Sequence, residues 1–96
     1  MTTTMTTTNK HWMVMTFTMD FFYGTPDEVV KEMCRICKGD GGDTDREYMD
    51  GYADRAMVWK GIRTDIRTDT AEHFLEDAEK YGLLWIDKTP MRNYLN

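Results

Sequence analysis

Three helix-start signals divide the chain, and they constrain its fold more than any other feature. Each signal places a capping Thr or Asp three residues before a Glu, which is the spacing of a capping box. The three are Thr25-Pro26-Asp27-Glu28, Thr44-Asp45-Arg46-Glu47 and Asp69-Thr70-Ala71-Glu72. Apolar residues recur at helical spacing after each signal. We therefore expect three helices, which end near Gly39, Gly61 and Gly82.

Extended segments flank these helices. Residues 12–23 alternate with a period of two, which is typical of one long half-buried strand. One face of that strand carries Met13, Met15, Phe17, Met19 and Phe21. We expect this face to pack on the core, although a methionine-rich binding surface would have the same spacing. Residues 83–87 predict a last strand, and the tandem Ile-Arg-Thr-Asp repeat at 62–69 fits a short edge strand or an ordered loop.

These elements predict a small single α+β domain in the order β-α-α-(short β)-α-β, with helices packed on a small sheet. The alternative is a ferredoxin-like βαββαβ chain, in which residues 45–60 form a hairpin at Asp50-Gly51 rather than a helix. The length of 96 residues suits one domain. We expect a disordered threonine-rich tail at 1–10, the domain at 11–90 and a C-terminal tail at 91–96.

The charge balance limits the classes of partner. Twelve basic and 17 acidic residues give a net charge of −5, which disfavours nucleic acid and anionic membranes as general partners. No apolar run approaches the roughly 20 residues of a membrane span, and the first residues do not resemble a secretory signal. We therefore expect a cytoplasmic protein, in the host cytoplasm if it is viral.

The residue types that carry catalysis are sparse. The chain has no serine, and its two cysteines, Cys34 and Cys37, lie on the apolar stripe of the first helix, where we expect both to be buried. They are weak candidates for a metal ligand pair or a redox pair, which is a further alternative function. The loop at 39–43 lacks the calcium-loop spacing, and His11 and His73 read as structural residues. We predict no enzyme activity, no cofactor and no metal.

The remaining surface predicts a protein-interaction module. We expect an acidic face that docks on a partner with a basic surface, made of Asp45, Glu47, Asp50, Glu72, Glu76 and Asp77. Aromatic anchors for it would come from those of Tyr48, Tyr52, Trp59 and Trp85 that are exposed. A small acidic protein of this kind suits an inhibitor or modulator of a host or partner protein, of viral or mobile-element type. Homodimerisation is also compatible with so small a core.

The alternative is a nucleic-acid-associated regulator. From Ile66 to Ile86 the sequence has a polar turn, a helix with Phe74 and Leu75, and a Tyr-Gly-Leu-Leu stretch that leads into a strand. This segment resembles the last helix and following strand of a winged helix-turn-helix protein, which implies contact with DNA. Candidate contacts are Arg55, Lys60, Arg63 and Arg67. Acidic residues on that helix would repel phosphate, so nucleic acid ranks below a protein partner.

Overall fold

A computed structural model of the protein describes residues 11–38 and 44–88. Its elements are β1 (Trp12–Thr16), β2 (Phe21–Gly24), α1 (Pro26–Lys38), α2 (Asp45–Lys60), α3 (Ala71–Lys80) and β3 (Leu84–Asp87). The sheet is antiparallel, with the strand order β2-β1-β3. The α+β class is confirmed, with three helices between the first and last strands. The predicted tails at 1–10 and 91–96 and the loop at 39–43 lie outside the described residues.

The first extended segment is a hairpin rather than one long strand. Residues 17–20 form its turn, where Met19 has a φ of 71°. The Thr16 hydroxyl lies 2.9 Å from the Thr18 hydroxyl and accepts the Asp20 N–H at 3.2 Å, while the Thr18 hydroxyl donates to the Asp20 carboxylate at 2.9 Å. Such side-chain bonds to nearby backbone favour turns over strands. The Thr-x-Thr-x-Asp pattern is therefore the turn signal that the alternation obscures.

The strand alternation has the opposite phase from the one expected. Trp12, Val14 and Thr16 face the helices and are buried. The members of the predicted core face are instead half-buried or exposed: Met13, Met15, Phe17, Met19 and Phe21. Met13, Met15 and Phe21 lie on the sheet face opposite the helices, whereas Phe17 lies in the turn and packs against Trp59 of α2. Both faces of this segment carry large apolar side chains, so periodicity alone does not say which one packs on the core.

Capping boxes begin the first two helices as predicted. At α1 the Thr25 hydroxyl accepts the Glu28 N–H at 3.2 Å, and the Glu28 carboxylate accepts the Thr25 N–H at 2.9 Å. The returning carboxylate passes Gly24, where a Cβ would lie 2.8 Å from its oxygen. Gly24 also has a φ of 152°, so both space and backbone conformation require glycine there.

Residues 45–60 form one helix, which excludes the ferredoxin-like alternative. The Thr44 hydroxyl accepts the Glu47 N–H at 3.1 Å, and Gly61 ends α2 in the left-handed conformation with a φ of 69°. Gly51 is accommodated inside the helix. Both end signals are local, which is why the sequence predicted this helix correctly.

The tandem repeat forms an ordered loop, one of its two expected structures. Thr64 is buried and Ile66 packs against the core, while the Asp65 N–H donates to the Tyr81 hydroxyl at 3.1 Å. The loop leads into α3, whose N-cap is Thr70 rather than Asp69, because the Thr70 hydroxyl accepts the N–H three residues later at 3.0 Å.

The core lies between the sheet and the helices. Its largest completely enclosed side chains are Val14, Val29, Val30, Phe74, Leu75 and Leu84. These come from β1, α1, α3 and β3, so both ends of the described chain contribute to one core. Within the described residues, no helix combines the length and apolar character needed to cross a membrane.

Candidate functional site

The predicted partner-facing carboxylates of α2 all have contacts within the domain. Asp45 lies 3.5 Å from the Lys31 ammonium, and Glu47 closes the capping box of α2. Asp50 accepts a hydrogen bond from the Thr68 hydroxyl at 2.5 Å. Glu47 and Asp50 are exposed and Asp45 is half-buried, so a partner can still reach them. Within the fold, Glu47 stabilises the start of α2, and Asp50 holds the loop that follows this helix.

The carboxylates of α3 differ from one another. Glu72 and Glu76 are half-buried, and Glu76 accepts a hydrogen bond from the Lys88 ammonium at 2.7 Å. Asp77 is only 8% exposed and does not face a partner, which corrects its place in the predicted acidic face. It accepts the Arg67 backbone N–H at 2.9 Å and the Arg67 guanidinium at 2.9 and 3.1 Å. These bonds hold the pKa of Asp77 below its ordinary value.

The four predicted nucleic-acid contacts do not share one environment. Arg67 is held by Asp77. The Arg55 guanidinium lies 5.7 Å from the centre of the Trp59 ring, in a cation–π arrangement. Lys60 and Arg63 are exposed at the end of α2 and in the following loop. The set is therefore divided between a structural ion pair, an aromatic contact and open surface.

The two cysteines lie in different environments. Cys34 is buried as predicted, but Cys37 is exposed, which corrects the expectation that both are core residues. The Cys37 sulfur lies 3.8 Å from the Tyr48 hydroxyl. Within residues 11–38 and 44–88, no three His, Cys, Asp or Glu side chains form a group that could hold a metal ion.

The histidines have aromatic and acidic neighbours. His73 is half-buried, and its Nδ1 lies 2.9 Å from the Asp69 carboxylate, a contact that lowers the pKa of Asp69. The His11 ring stacks on Tyr23 with 5.6 Å between ring centres.

A groove of about 400 Å³ opens between the hairpin turn, α1 and α2. Its apolar lining comes from Phe17, Phe22, Met33, Ile36 and Trp59. Its polar lining comes from Thr16, Thr18, Asp20, Cys37, Tyr48, Tyr52 and Arg55. The volume lies within the range of small-molecule sites, roughly 300–1,000 Å³. Three separate elements form the groove, so no periodicity within one element could predict it.

Two phenols form part of the wall of this groove. Tyr48 and Tyr52 are buried, and their rings lie 6.1 Å apart. Burial raises the pKa of Tyr52 to about 12, and burial together with the Cys37 sulfur raises that of Tyr48 further. Both phenols therefore keep their protons at neutral pH. The Tyr52 hydroxyl is enclosed and has no hydrogen-bond partner among the described residues.

The second candidate surface is the outer sheet face, which we define as Met13, Met15, Phe21, Tyr23 and Trp85. The strand register places these side chains in two cross-strand rows, Tyr23–Met13–Asp87 and Phe21–Met15–Trp85. Phe21 is 64% exposed, Tyr23 53% and Trp85 51%. The helices cover the opposite face of the sheet, and within residues 11–38 and 44–88 no element covers this one. Trp85 is the only predicted anchor on it.

The chain matches no protein-family model, no curated protein and no solved structure. An assignment of function therefore depends on the chemistry of these two surfaces.

Proposed function

We propose that this protein is a non-enzymatic protein-interaction module that docks on its partner through the outer sheet face. The observation that carries the proposal is the exposure of Phe21, Tyr23 and Trp85 together on one side of a sheet whose other side is packed. Contiguous exposed apolar surface marks interaction sites in soluble proteins. Tyr and Trp are also the residues that dominate the binding energy of many interfaces.

The acidic charge of the chain indicates the chemistry of the partner surface. The chain carries a net charge of −5, and Asp87 shares the outer sheet face in register with Met13. We therefore expect a partner with an apolar patch bordered by Lys and Arg. The contacts at the centre of the interface would be apolar, and the acidic residues would contribute at its rim and in the approach of the two proteins.

The test is an affinity capture with matched variants. Phe21→Thr combined with Trp85→Thr removes the exposed aromatic rings and keeps strand-forming residues. Val58→Thr is the control, because Val58 is an exposed apolar residue on α2. We expect one protein to be recovered in stoichiometric amount with the wild type and the control, and to be lost with the double variant.

Other outcomes would indicate a different interface or a different partner. Recovery that survives the double variant but fails after Asp45→Lys with Glu47→Lys would place the interface on the acidic side of α2 instead. Self-association that is measured by light scattering and lost with the double variant would make the partner a second copy of this chain. Recovery that depends on nucleic acid in the sample would favour the regulator alternative.

A further inference from the structure

We infer that the groove between the hairpin turn, α1 and α2 binds a small apolar monocarboxylate. This is a separate site from the outer sheet face, and it does not depend on the function proposed above. The groove has aromatic and aliphatic walls, and the charged side chains of its described lining are one cation, Arg55, and one carboxylate, Asp20. A guest with an apolar body and a single negative charge fits both properties.

The apolar part of the guest is specified by the walls. Phe17 and Trp59 meet edge to face with 5.4 Å between ring centres, and Trp59 meets Tyr52 in the same way at 5.2 Å. Phe17 comes from the hairpin turn, so this aromatic cluster joins the turn to α2. Met33 and Ile36 line the groove from α1. Rings or an acyl chain would exclude water from these surfaces.

The charge of the guest is specified by Arg55. Among residues 11–38 and 44–88, Arg55 pairs with no carboxylate, and its contact is with the Trp59 ring. Arginine stacked on an aromatic ring keeps its donors available for a carboxylate, which it binds in a bidentate manner. Asp20 is the acidic residue of the lining, and it is engaged by the Thr18 hydroxyl and by the Thr16 hydroxyl through its own N–H.

The Tyr52 hydroxyl is a second, independent pointer to a ligand. Tyr52 is 5% exposed, and its hydroxyl has no hydrogen-bond partner in the part of the chain that the structure describes, which is costly for a buried group. Tyr52 itself lines the groove, together with Arg55 and Cys37, so its enclosed hydroxyl belongs to a residue of the groove wall. The hydroxyl stays protonated at neutral pH, so it donates to a guest oxygen once an exposed side chain of the wall shifts to admit it.

The experiment titrates the full chain with 2-naphthoate and with decanoate, and follows the indole N–H signals by NMR. Trp59 lines the groove, whereas Trp85 lies on the outer sheet face and Trp12 lies in the core. The signals are assigned with single Trp→Phe variants. The two acids separate an aryl from an acyl guest, and 2-naphthalenemethanol and decanol are the uncharged counterparts.

We expect a saturable shift of the Trp59 signal with at least one acid and a much weaker response to its alcohol. Arg55→Gln should weaken the binding of the acid about tenfold, because it removes a charged hydrogen-bonding partner. Arg46→Gln is the matched control: Arg46 is an exposed arginine on the same helix, 3.5 Å from Asp50, and does not line the groove. Tyr52→Phe should weaken binding by a smaller factor.

Three results would overturn the inference. The first is a dissociation constant weaker than about 1 mM for both acids. The second is equal binding of an acid and its alcohol, which would remove the role of Arg55. The third is a response at Trp85 in place of Trp59, which would put the guest on the outer sheet face. Circular dichroism of Arg55→Gln confirms that a loss of binding does not come from unfolding.

Discussion

Replacing Asp77 with alanine is expected to cost far more stability than replacing Glu76, its neighbour on the same helix. Asp77 is buried and accepts three hydrogen bonds from Arg67, of which one comes from the backbone N–H of the loop at 61–70. Glu76 pairs with Lys88, and both side chains of that pair are partly exposed. The two carboxylates thus differ in burial and in their partners: Asp77 binds the backbone and side chain of Arg67, whereas Glu76 binds only the Lys88 side chain among the contacts that the structure shows.

The expected loss in the free energy of unfolding is the sum of the contributions of the separate bonds. A hydrogen bond from a backbone N–H to a charged carboxylate contributes about 1.5–3 kcal/mol. The ion pair adds about 0.5 kcal/mol, since the Arg67 side chain is half exposed and its charge is screened by water. We therefore expect Asp77→Ala to lower the free energy of unfolding by about 2.5 kcal/mol, which corresponds to roughly 10–20 °C in the melting temperature. Glu76→Ala should cost about 0–1 kcal/mol.

Urea denaturation followed by circular dichroism measures both variants. Arg67→Met separates the contributions, because it removes the guanidinium and leaves the backbone N–H bond to Asp77 in place. It should cost about 1 kcal/mol or less. If Asp77→Ala is no more destabilising than Glu76→Ala, the argument that Asp77 anchors the loop is refuted.

The same contact predicts a dependence on pH. Because Arg67 lowers the pKa of Asp77, the contribution of Asp77 is fully present above its ordinary pKa of 3.8 and is lost as the pH falls through the lower folded value. The stability difference between the wild type and Asp77→Ala should therefore be constant from about pH 5 to 7 and decrease below about pH 4. A difference that persists unchanged at pH 2 would show that the carboxylate charge does not matter.

Three further variants or measurements test other parts of the fold. Tyr52→Phe should leave stability unchanged or raise it by up to about 1 kcal/mol in urea denaturation, because it removes an unpartnered buried hydroxyl; a clear loss would reveal a bond at that oxygen. Thr44→Ala should lower stability by about 1 kcal/mol, and an unchanged unfolding midpoint would show that the cap of α2 is unimportant. A thiol reagent should modify Cys37 rapidly and Cys34 only in denaturant, so two fast-reacting thiols in the native protein would contradict the burial of Cys34.

The helices could be predicted because their signals are local. The capping boxes at Thr25 and Thr44 and the stop at Gly61 each involve residues within one turn of one another. Such signals can be recognised in the sequence because they do not depend on contacts with distant residues. The cap of α3 was misplaced by a single residue, since Asp69 and Thr70 are both suitable capping residues.

The sheet and the binding surfaces depend on contacts between distant residues. The phase of β1 is set by which of its faces the helices cover, and both faces are apolar, so Trp12 and Met13 were equally good core residues in the sequence. The burial of Asp77 follows from its pairing with Arg67, ten positions earlier. Likewise, the groove brings Phe17, Ile36 and Arg55 together from three elements. No short-range pattern carries this information.

The position of β1 in the middle of the sheet has a consequence for synthesis on the ribosome. Its partner β2 follows after a four-residue turn, but its other partner, β3, is the last strand of the described chain. While β3 is still inside the exit tunnel, β1 has one open edge and Phe74 and Leu75 lack the cover of Leu84. The nascent chain therefore exposes a strand edge and an unfinished core until β3 emerges, which is the stage at which a chaperone would bind it.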